Sequence, residues 1–263
     1  MKVERIQDVE IALKKLSGKC VLKKAHLGYD GKGTFILKDG LHSASDLLKS
    51  LEWPFNGYAE EYAKFKCEFA VVLARSKVGK VVSYPVIETF QRNSKCDWTV
   101  VPAQVPPRIQ RRAQKIASDV IKGFGGTGVF GVEMFWMEDD RVIVNEIAPR
   151  VHNSGHVTMN SFDVSQFELH LRAALGMKLK KPEMIVKAAA MVNLLGEKDL
   201  IIRADFQTEL KVKASSLENA WIHWYGKLGQ GLGRKLGHIN TTSAVSVKAA
   251  LISAKKIRRG ILI

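Results

Sequence analysis

Cysteine is scarce in this chain: three in 263 residues, set far apart at Cys20, Cys67 and Cys96. An odd, scattered set offers neither a disulfide framework nor a metal-spaced pair, and it fits a reducing, cytoplasmic setting. Long apolar runs are missing too. No stretch reaches 18 consecutive apolar residues, so no transmembrane helix is expected. The opening Met1-Lys2-Val3-Glu4-Arg5 lacks the apolar core of a signal peptide. Internal repeats are absent. Negative charge is the minority, with 26 acidic residues against 41 Lys and Arg and a net charge of +15. That balance favours polyanionic partners: nucleic acid, anionic membranes or phosphorylated small molecules. The densest basic clusters are Arg108-Ile109-Gln110-Arg111-Arg112 and Lys255-Lys256-Ile257-Arg258-Arg259. Both fall in stretches that read as helices, hence as solvated faces. Without zinc-finger spacing or an aromatic nucleic-acid signature, neither a nucleic-acid nor a membrane partner is expected.

What the chain does have is apolar material, 46% of its residues, enough for one large domain or two smaller ones. The periodicities alternate between helix and strand, giving an α+β reading. Residues 3–16 space Ile6, Val9, Leu13 and Leu16 by three and four, as an amphipathic helix does. Strands are expected at 19–24 and 34–38, and a helix over 43–51. Cys67 to Ser76 should pair with Lys80 to Ile87 about the turn Lys77-Val78-Gly79. Pro106 and Pro107 open a helix running to about Lys122, with Ile109, Ala113, Ile116, Ala117, Val120 and Ile121 as its buried stripe. A further helix is expected over 162–175. After about residue 180 the elements turn shorter, with strands at 185–194, 210–213, 220–225 and 234–240 and a helix near 244–258. This region reads as a small, separate β-rich lobe.

Two strongly apolar stretches, 128–137 and 141–148, flank the polar turn Glu138-Asp139-Asp140. Folding about the Asp139–Asp140 bond sets Glu133 opposite Glu146. Opposed side chains lie roughly 4.5–5.5 Å apart at Cβ, where like charges destabilise a sheet. On the surface the two glutamates would point to water. Buried, they would share a proton or need a cation. A hard divalent ion such as Mg²⁺ suits such a pair, since it takes one or two carboxylates plus phosphate oxygens. The apolar strands favour burial.

Three more segments carry polar chemistry. Gly28-Tyr29-Asp30-Gly31-Lys32-Gly33 can bring backbone N–H groups close to an anion. It matches neither the Gly-Lys-Ser/Thr phosphate loop nor the dinucleotide fingerprint, and an ordinary flexible hairpin explains it equally well. Asn145-Glu146-Ile147-Ala148-Pro149-Arg150-Val151-His152-Asn153-Ser154-Gly155-His156 follows directly on an apolar strand. There Arg150 can clamp an oxyanion and His152 and His156 can titrate near neutral pH. His223-Trp224-Tyr225-Gly226-Lys227, with Gly233-Arg234-Lys235-Leu236-Gly237-His238, is either a phosphate-binding or a plain basic turn.

Taken together with Gly131-Val132-Glu133 and Ser165-Gln166-Phe167-Glu168-Leu169-His170-Leu171-Arg172-Ala173, these segments resemble the 5-(carboxyamino)imidazole ribonucleotide synthetases of the ATP-grasp superfamily. The likeness covers nearly the whole chain, and the 145–156 run is its most specific part. It implies two α+β ATP-grasp subdomains, 1–88 and 89–180, followed by the β-rich C-terminal lobe, 181–263. It implies an enzyme, an ATP-dependent carboxylating ligase. ATP, bicarbonate and aminoimidazole ribonucleotide would give the N-carboxylated ribonucleotide of purine biosynthesis through carboxyphosphate. On the same resemblance Lys23 and Lys32 contact ATP phosphates, and Glu60, Glu61, Tyr62 and Ala63 form the adenine hinge. Glu68 binds the ribose, and Glu133 and Glu146 hold Mg²⁺. Tyr29 and Asp30 approach the substrate imidazole. Arg150, His152 and Asn153 handle bicarbonate, carboxyphosphate and the amine. Lys227 and Arg234 bind the 5′-phosphate or groups near it.

The family's usual N-terminal nucleotide-fold domain is not read in this sequence, so a partner carrying it, or a homodimer, is expected. Two further departures stand out. Gly231-Leu232-Gly233-Arg234 replaces an Arg-Pro-Gly-Arg wording, and His26-Leu27 stands where Arg or Gly is usual. The competing readings are another ATP-grasp carboxylate–amine ligase or carboxylase, and an inactive nucleotide-binding module.

Overall fold

The computed structural model describes residues 1–28, 33–37, 45, 48–196, 201–202, 218–227, 229–230 and 233–261. Tyr29, Asp30 and Lys32, and the strand expected at 210–213, lie outside the described residues. The chain divides into two compact units. One is Met1–Lys64 with Asn93–Lys95, and the other is Phe65–Arg92 with Cys96–Ile263.

The first unit holds β1 (Lys2–Val3), α1 (Ile6–Lys15), β2 (Cys20–Lys24), β3 (Thr34–Leu37) and β4 (Gly57–Glu61). Its four-stranded sheet runs β1-β4-β2-β3. Helix α1 buries Val9, Ala12 and Leu13, spaced three and four apart, against Cys20, Leu22, Leu37, Phe55 and Ala59. Ile6, expected on that stripe, is 39% exposed in the first turn.

The second unit is built on one long sheet. Its strands are β5 (Phe65–Arg75), β6 (Val81–Ser83), β7 (Ile87–Arg92), β8 (Lys95–Val101), β9 (Gly128–Met137), β10 (Val142–Ala148), β11 (Ala188–Leu195), β13 (Ala220–Trp224) and β15 (Lys235–Ser243). The order is β10-β9-β5-β7-β8-β11-β15-β13, with β6 also on β5. Short β12 (Ile201–Ile202) and β14 (Gly229–Gln230) pair with each other. The helices are α2 (Pro107–Phe124), α3 (Thr158–Ser161), α4 (Gln166–Ala174) and α5 (Val247–Arg259), and a 3-10 turn covers Asn153–Val157. No helix among the described residues is long and apolar enough to cross a membrane.

Strand β5 reads as a continuous apolar run because both its faces are covered. Phe69, Val71 and Leu73 pack under Ile109, Ala113, Ala117 and Ile121 of α2. Val72 and Ala74 pack on the other face, with Val157, Phe162, Leu169 and Ala173. Helix α2 begins with Pro107 and stops at Gly125, whose φ of 82° suits glycine.

Three expectations need correction. The strand facing β5 is not continuous: its register slips by one residue across Tyr84-Pro85-Val86, where Pro85 has no N–H for the ladder. The helix expected over 162–175 starts only at Gln166, capped by the Ser165 side chain, and a 3-10 turn and α3 precede it. The C-terminal segment is β-rich as expected, but its three longer strands do not form a sheet of their own. Strand β11 pairs with β8 and β15, extending the main sheet, and Ala250 and Ala254 of α5 pack onto it. By compactness the chain divides between Lys64 and Phe65.

Candidate active site

The site forms on the sheet face that carries the 152–174 segment. Glu133 of β9 and Glu146 of β10 are direct cross-strand partners. The turn is not the one expected. Met137 donates to the Arg141 carbonyl, Asp140 donates to the Met137 carbonyl, and Asp140 takes a φ of 65°. The hairpin therefore centres on Asp139, pairing Val142 with Trp136 and Val144 with Met134. A bulge at Asn145 then shifts the register by one, and this brings the glutamates together. Asp140 is locked in place by Lys66, Arg108 and the Trp136 indole, which hold its carboxyl well below the usual range.

Glu68 lies two residues from Ala70, which opposes Glu133 across the strand pair, so all three share a face. Burial, reinforced by the Glu133 charge, raises the Glu68 carboxyl to about 7.

His152 is 6% exposed, and its Nε2 lies 3.2 Å from Glu133 Oε1. The Ser154 N–H points at Nδ1 from 3.4 Å, so Nδ1 is the acceptor and Nε2 carries the proton that Glu133 accepts. The ring packs directly over Gly131 of β9, where a Cβ would overlap it. Glycine is required there by space, not by backbone angle.

The next residues fan out across the sheet. The Asn153 and Asn193 side-chain amides bond reciprocally at 3.0 and 2.8 Å, and Asn193 also donates to the Cys96 carbonyl. His156 stacks on His238 of β15, and His238 stacks on His223 of β13, with centroids 4.7 and 4.5 Å apart. Asn160 accepts from Asn240 and contacts His223 Nε2. The segment from His152 to Asn160 thus reaches side chains on β9, β11, β15 and β13. His156 does not titrate near neutrality as its sequence setting suggests, and neither does His238. Burial first, then neighbouring imidazoles, lowers them to about 4 and about 2.

Arg150 is exposed and donates from Nη1 to the Val151 carbonyl. Lys227 donates to the Lys235 carbonyl at 2.7 Å and sits over the Tyr225 ring. Exposed Arg234 lies one residue before β15. In the first unit Lys23 pairs with Glu60, its diagonal neighbour across β2 and β4. Glu61 ends β4, and half-buried Tyr62 and Ala63 follow.

Sequence reasoning gave no role to Gln166, Asn193, Asn160, Asn240 or Gly131. A signal existed for two of them. Asn193 interrupts the apolar strand Ala188–Leu195, Gln166 falls on the buried stripe of Leu169 and Ala173, and a buried amide needs partners.

The family model for the ATP-grasp domain matches residues 1–167. The model for the phosphoribosylaminoimidazole carboxylase C-terminal domain matches residues 189–250. A phosphoribosylaminoimidazole carboxylase of Candida glabrata is 43% identical over 226 residues, covering 84% of this chain and 38% of the relative. The carboxyaminoimidazole ribonucleotide synthase of Aspergillus clavatus, solved with ATP, superposes with a TM-score of 0.86 at 33% identity, covering 100% of this chain and 68% of that one. The same organism's enzyme, solved with ADP and 5-aminoimidazole ribonucleotide, gives 0.85 at 32% identity, covering 99% and 68%. The chain spans about two fifths of the length of that curated relative. With both models matched in order along the fold just described, the chain belongs to the ATP-grasp family and, within it, to the carboxyaminoimidazole ribonucleotide synthetases.

Proposed function

We propose that this chain carries an ATP- and bicarbonate-dependent carboxylation of 5-aminoimidazole ribonucleotide at its amine. The observation that supports it most is the Glu133–Glu146 pair with the His152 proton aimed at Glu133, in a family whose solved relative holds ADP and that ribonucleotide.

Bicarbonate is a poor electrophile, and phosphorylation by ATP converts it into an activated carboxyl donor. Two opposed carboxylates offer the hard oxygen donors that Mg²⁺ takes beside nucleotide phosphates. Bound there, Mg²⁺ would neutralise charge on the phosphoryl oxygens. Among the described residues no three or more His, Cys, Asp or Glu side chains are arranged to hold a metal ion by themselves, so such an ion would draw its other ligands from phosphate and water.

The remaining roles belong to the chain's own groups. The planar fork of Arg150 suits bicarbonate and its phosphorylated form. His152 keeps its proton on Nε2, where it holds Glu133 in place beside the proposed anion site. Asn153, fixed by Asn193, orients the substrate amine, and Lys227 and Arg234 take the ribonucleotide phosphate. Glu68 is assigned to the nucleotide ribose. The nucleotide roles of Lys23, Lys32, Glu60, Glu61, Tyr62 and Ala63, and the substrate roles of Tyr29 and Asp30, rest on the resemblance. So does a homodimer, whereas a cytoplasmic setting is proposed from the few scattered cysteines.

A coupled ADP assay tests the reading. ADP release should require bicarbonate and the ribonucleotide together. Release that depends on another carboxylate and amine assigns a different ATP-grasp ligase, and nucleotide binding without release assigns a non-catalytic module.

A further inference from the structure

We propose that Gln166 is a positioning residue, whose side-chain amide clamps the His152 main chain and dictates which nitrogen of His156 bears the proton. This rests on the carboxylation reading. Gln166 opens α4 and is fully buried. Its Oε1 accepts from the His152 N–H at 2.9 Å, and its Nε2 donates to the His152 carbonyl at 2.8 Å. The amide thus pairs with His152 as a neighbouring strand would. This double bond pattern also settles which end of the amide is oxygen.

The second proton on Nε2 faces His156 Nδ1 at 3.1 Å. A donor in that place obliges Nδ1 to accept, so neutral His156 carries its proton on Nε2. The groups acting on His156 from the surrounding elements are His152, Arg150, His223, His238 and Lys235, with the Phe167 and Tyr225 rings against it. The Gln166 main chain is tied in as well. Its N–H donates to Thr158 Oγ1, whose hydroxyl donates to the Gly155 carbonyl. Gly155 itself has no room for a Cβ beside the Gln166 amide. Glutamine is the side chain that can serve the His152 N–H, the His152 carbonyl and the His156 nitrogen together. An ionised glutamate has no proton to give, and a leucine has neither donor nor acceptor.

Wild type, Gln166→Leu and Gln166→Glu are compared in the ADP assay from about pH 5.5 to 8.5. Gln166→Leu should lose about 100-fold in kcat, the scale of a small misplacement, with the nucleotide KM near wild type. Gln166→Glu should work while its carboxyl is protonated, because the acid can still accept from the N–H and donate to the carbonyl. Its activity should fall as pH rises through that ionisation, a limb that wild type and Gln166→Leu lack. Superimposable pH profiles for wild type and Gln166→Glu, or a Gln166→Leu kcat within about twofold of wild type, overturn the proposal. If Gln166→Leu does not fold, the Gln166→Glu profile decides alone. If wild type shows no turnover, the carboxylation reading fails and imidazole ¹⁵N spectra decide the positioning claim. His156 Nδ1 should resonate as an acceptor in wild type and as a protonated nitrogen in Gln166→Glu, and unchanged shifts overturn it.

Discussion

Glu133 and Glu146 face one another because Asn145 is an extra residue between two registers of the same hairpin. With the turn centred on Asp139, an unbroken ladder would set Glu133 against Asn145 and send Glu146 to the opposite face. The bulge places both carboxylates on the face that carries His152, where they serve the proposed Mg²⁺–nucleotide site.

Replacing either acid should therefore weaken Mg·ATP. Glu133→Gln and Glu146→Gln are each expected to reduce affinity by about 10–100-fold. Isothermal titration with and without Mg²⁺ reads this directly. Glu133→Gln also removes the anionic acceptor of His152, so its kcat should fall further than that of Glu146→Gln. Undiminished affinity in both variants would end the metal assignment.

Gly131→Ala tests the packing of His152. The new methyl overlaps the imidazole, and overpacking of this kind costs about 1–3 kcal/mol. Urea unfolding should show that loss together with reduced activity. A variant as stable and active as wild type would mean that the ring has room to move.

Glu68 should leave a mark on stability against pH. Its carboxyl titrates near 7 when folded, against 4.5 ordinarily, because of burial and then the Glu133 charge. Between those values the folded state keeps a proton that the unfolded chain gives up. This group's contribution therefore falls as pH rises and is gone above about 7. Glu68→Gln removes the effect, so melting temperature, variant minus wild type, should climb from pH 4.5 to 7 and then level. A flat difference would show that Glu68 is solvated.

The histidine stack slopes the other way. His156 and His238 drop from 6.5 to about 4 and about 2, so the unfolded chain binds protons that the folded chain refuses. Stability from these groups is complete above 6.5 and drains away as the solution is acidified. His238→Phe should make the acid loss shallower in urea midpoints measured below pH 6.5. An unchanged slope would place the acid sensitivity elsewhere.

Local pattern made much of this molecule legible. The stripe of α2, the apolar β5 and the two strands bearing the glutamates follow from side-chain spacing alone. The rest depends on partners distant in sequence. Nothing local says that β11 joins β8, and so the C-terminal strands read as a separate lobe. The Asn145 bulge left no local trace, and the expected glutamate pairing held because a misplaced turn and an unseen bulge differ by one residue each. Burial hid the amides as well. Asn160 and Asn240 read as ordinary polar residues until three-dimensional packing brings them together. The two histidines of the 145–156 run looked alike, yet one meets a carboxylate and the other a stack of imidazoles.

The span from His152 to Asn160 acts as a ruler laid over the sheet, with its marks at residues 152, 153, 156 and 160 set against fixed positions beneath. Its first part is a 3-10 turn, so one added residue would swing every later mark by about a third of a turn. Such a change would leave the acidic end and the imidazole end each whole but out of step. Change in this stretch is thus confined to swapping side chains, while its length stays fixed.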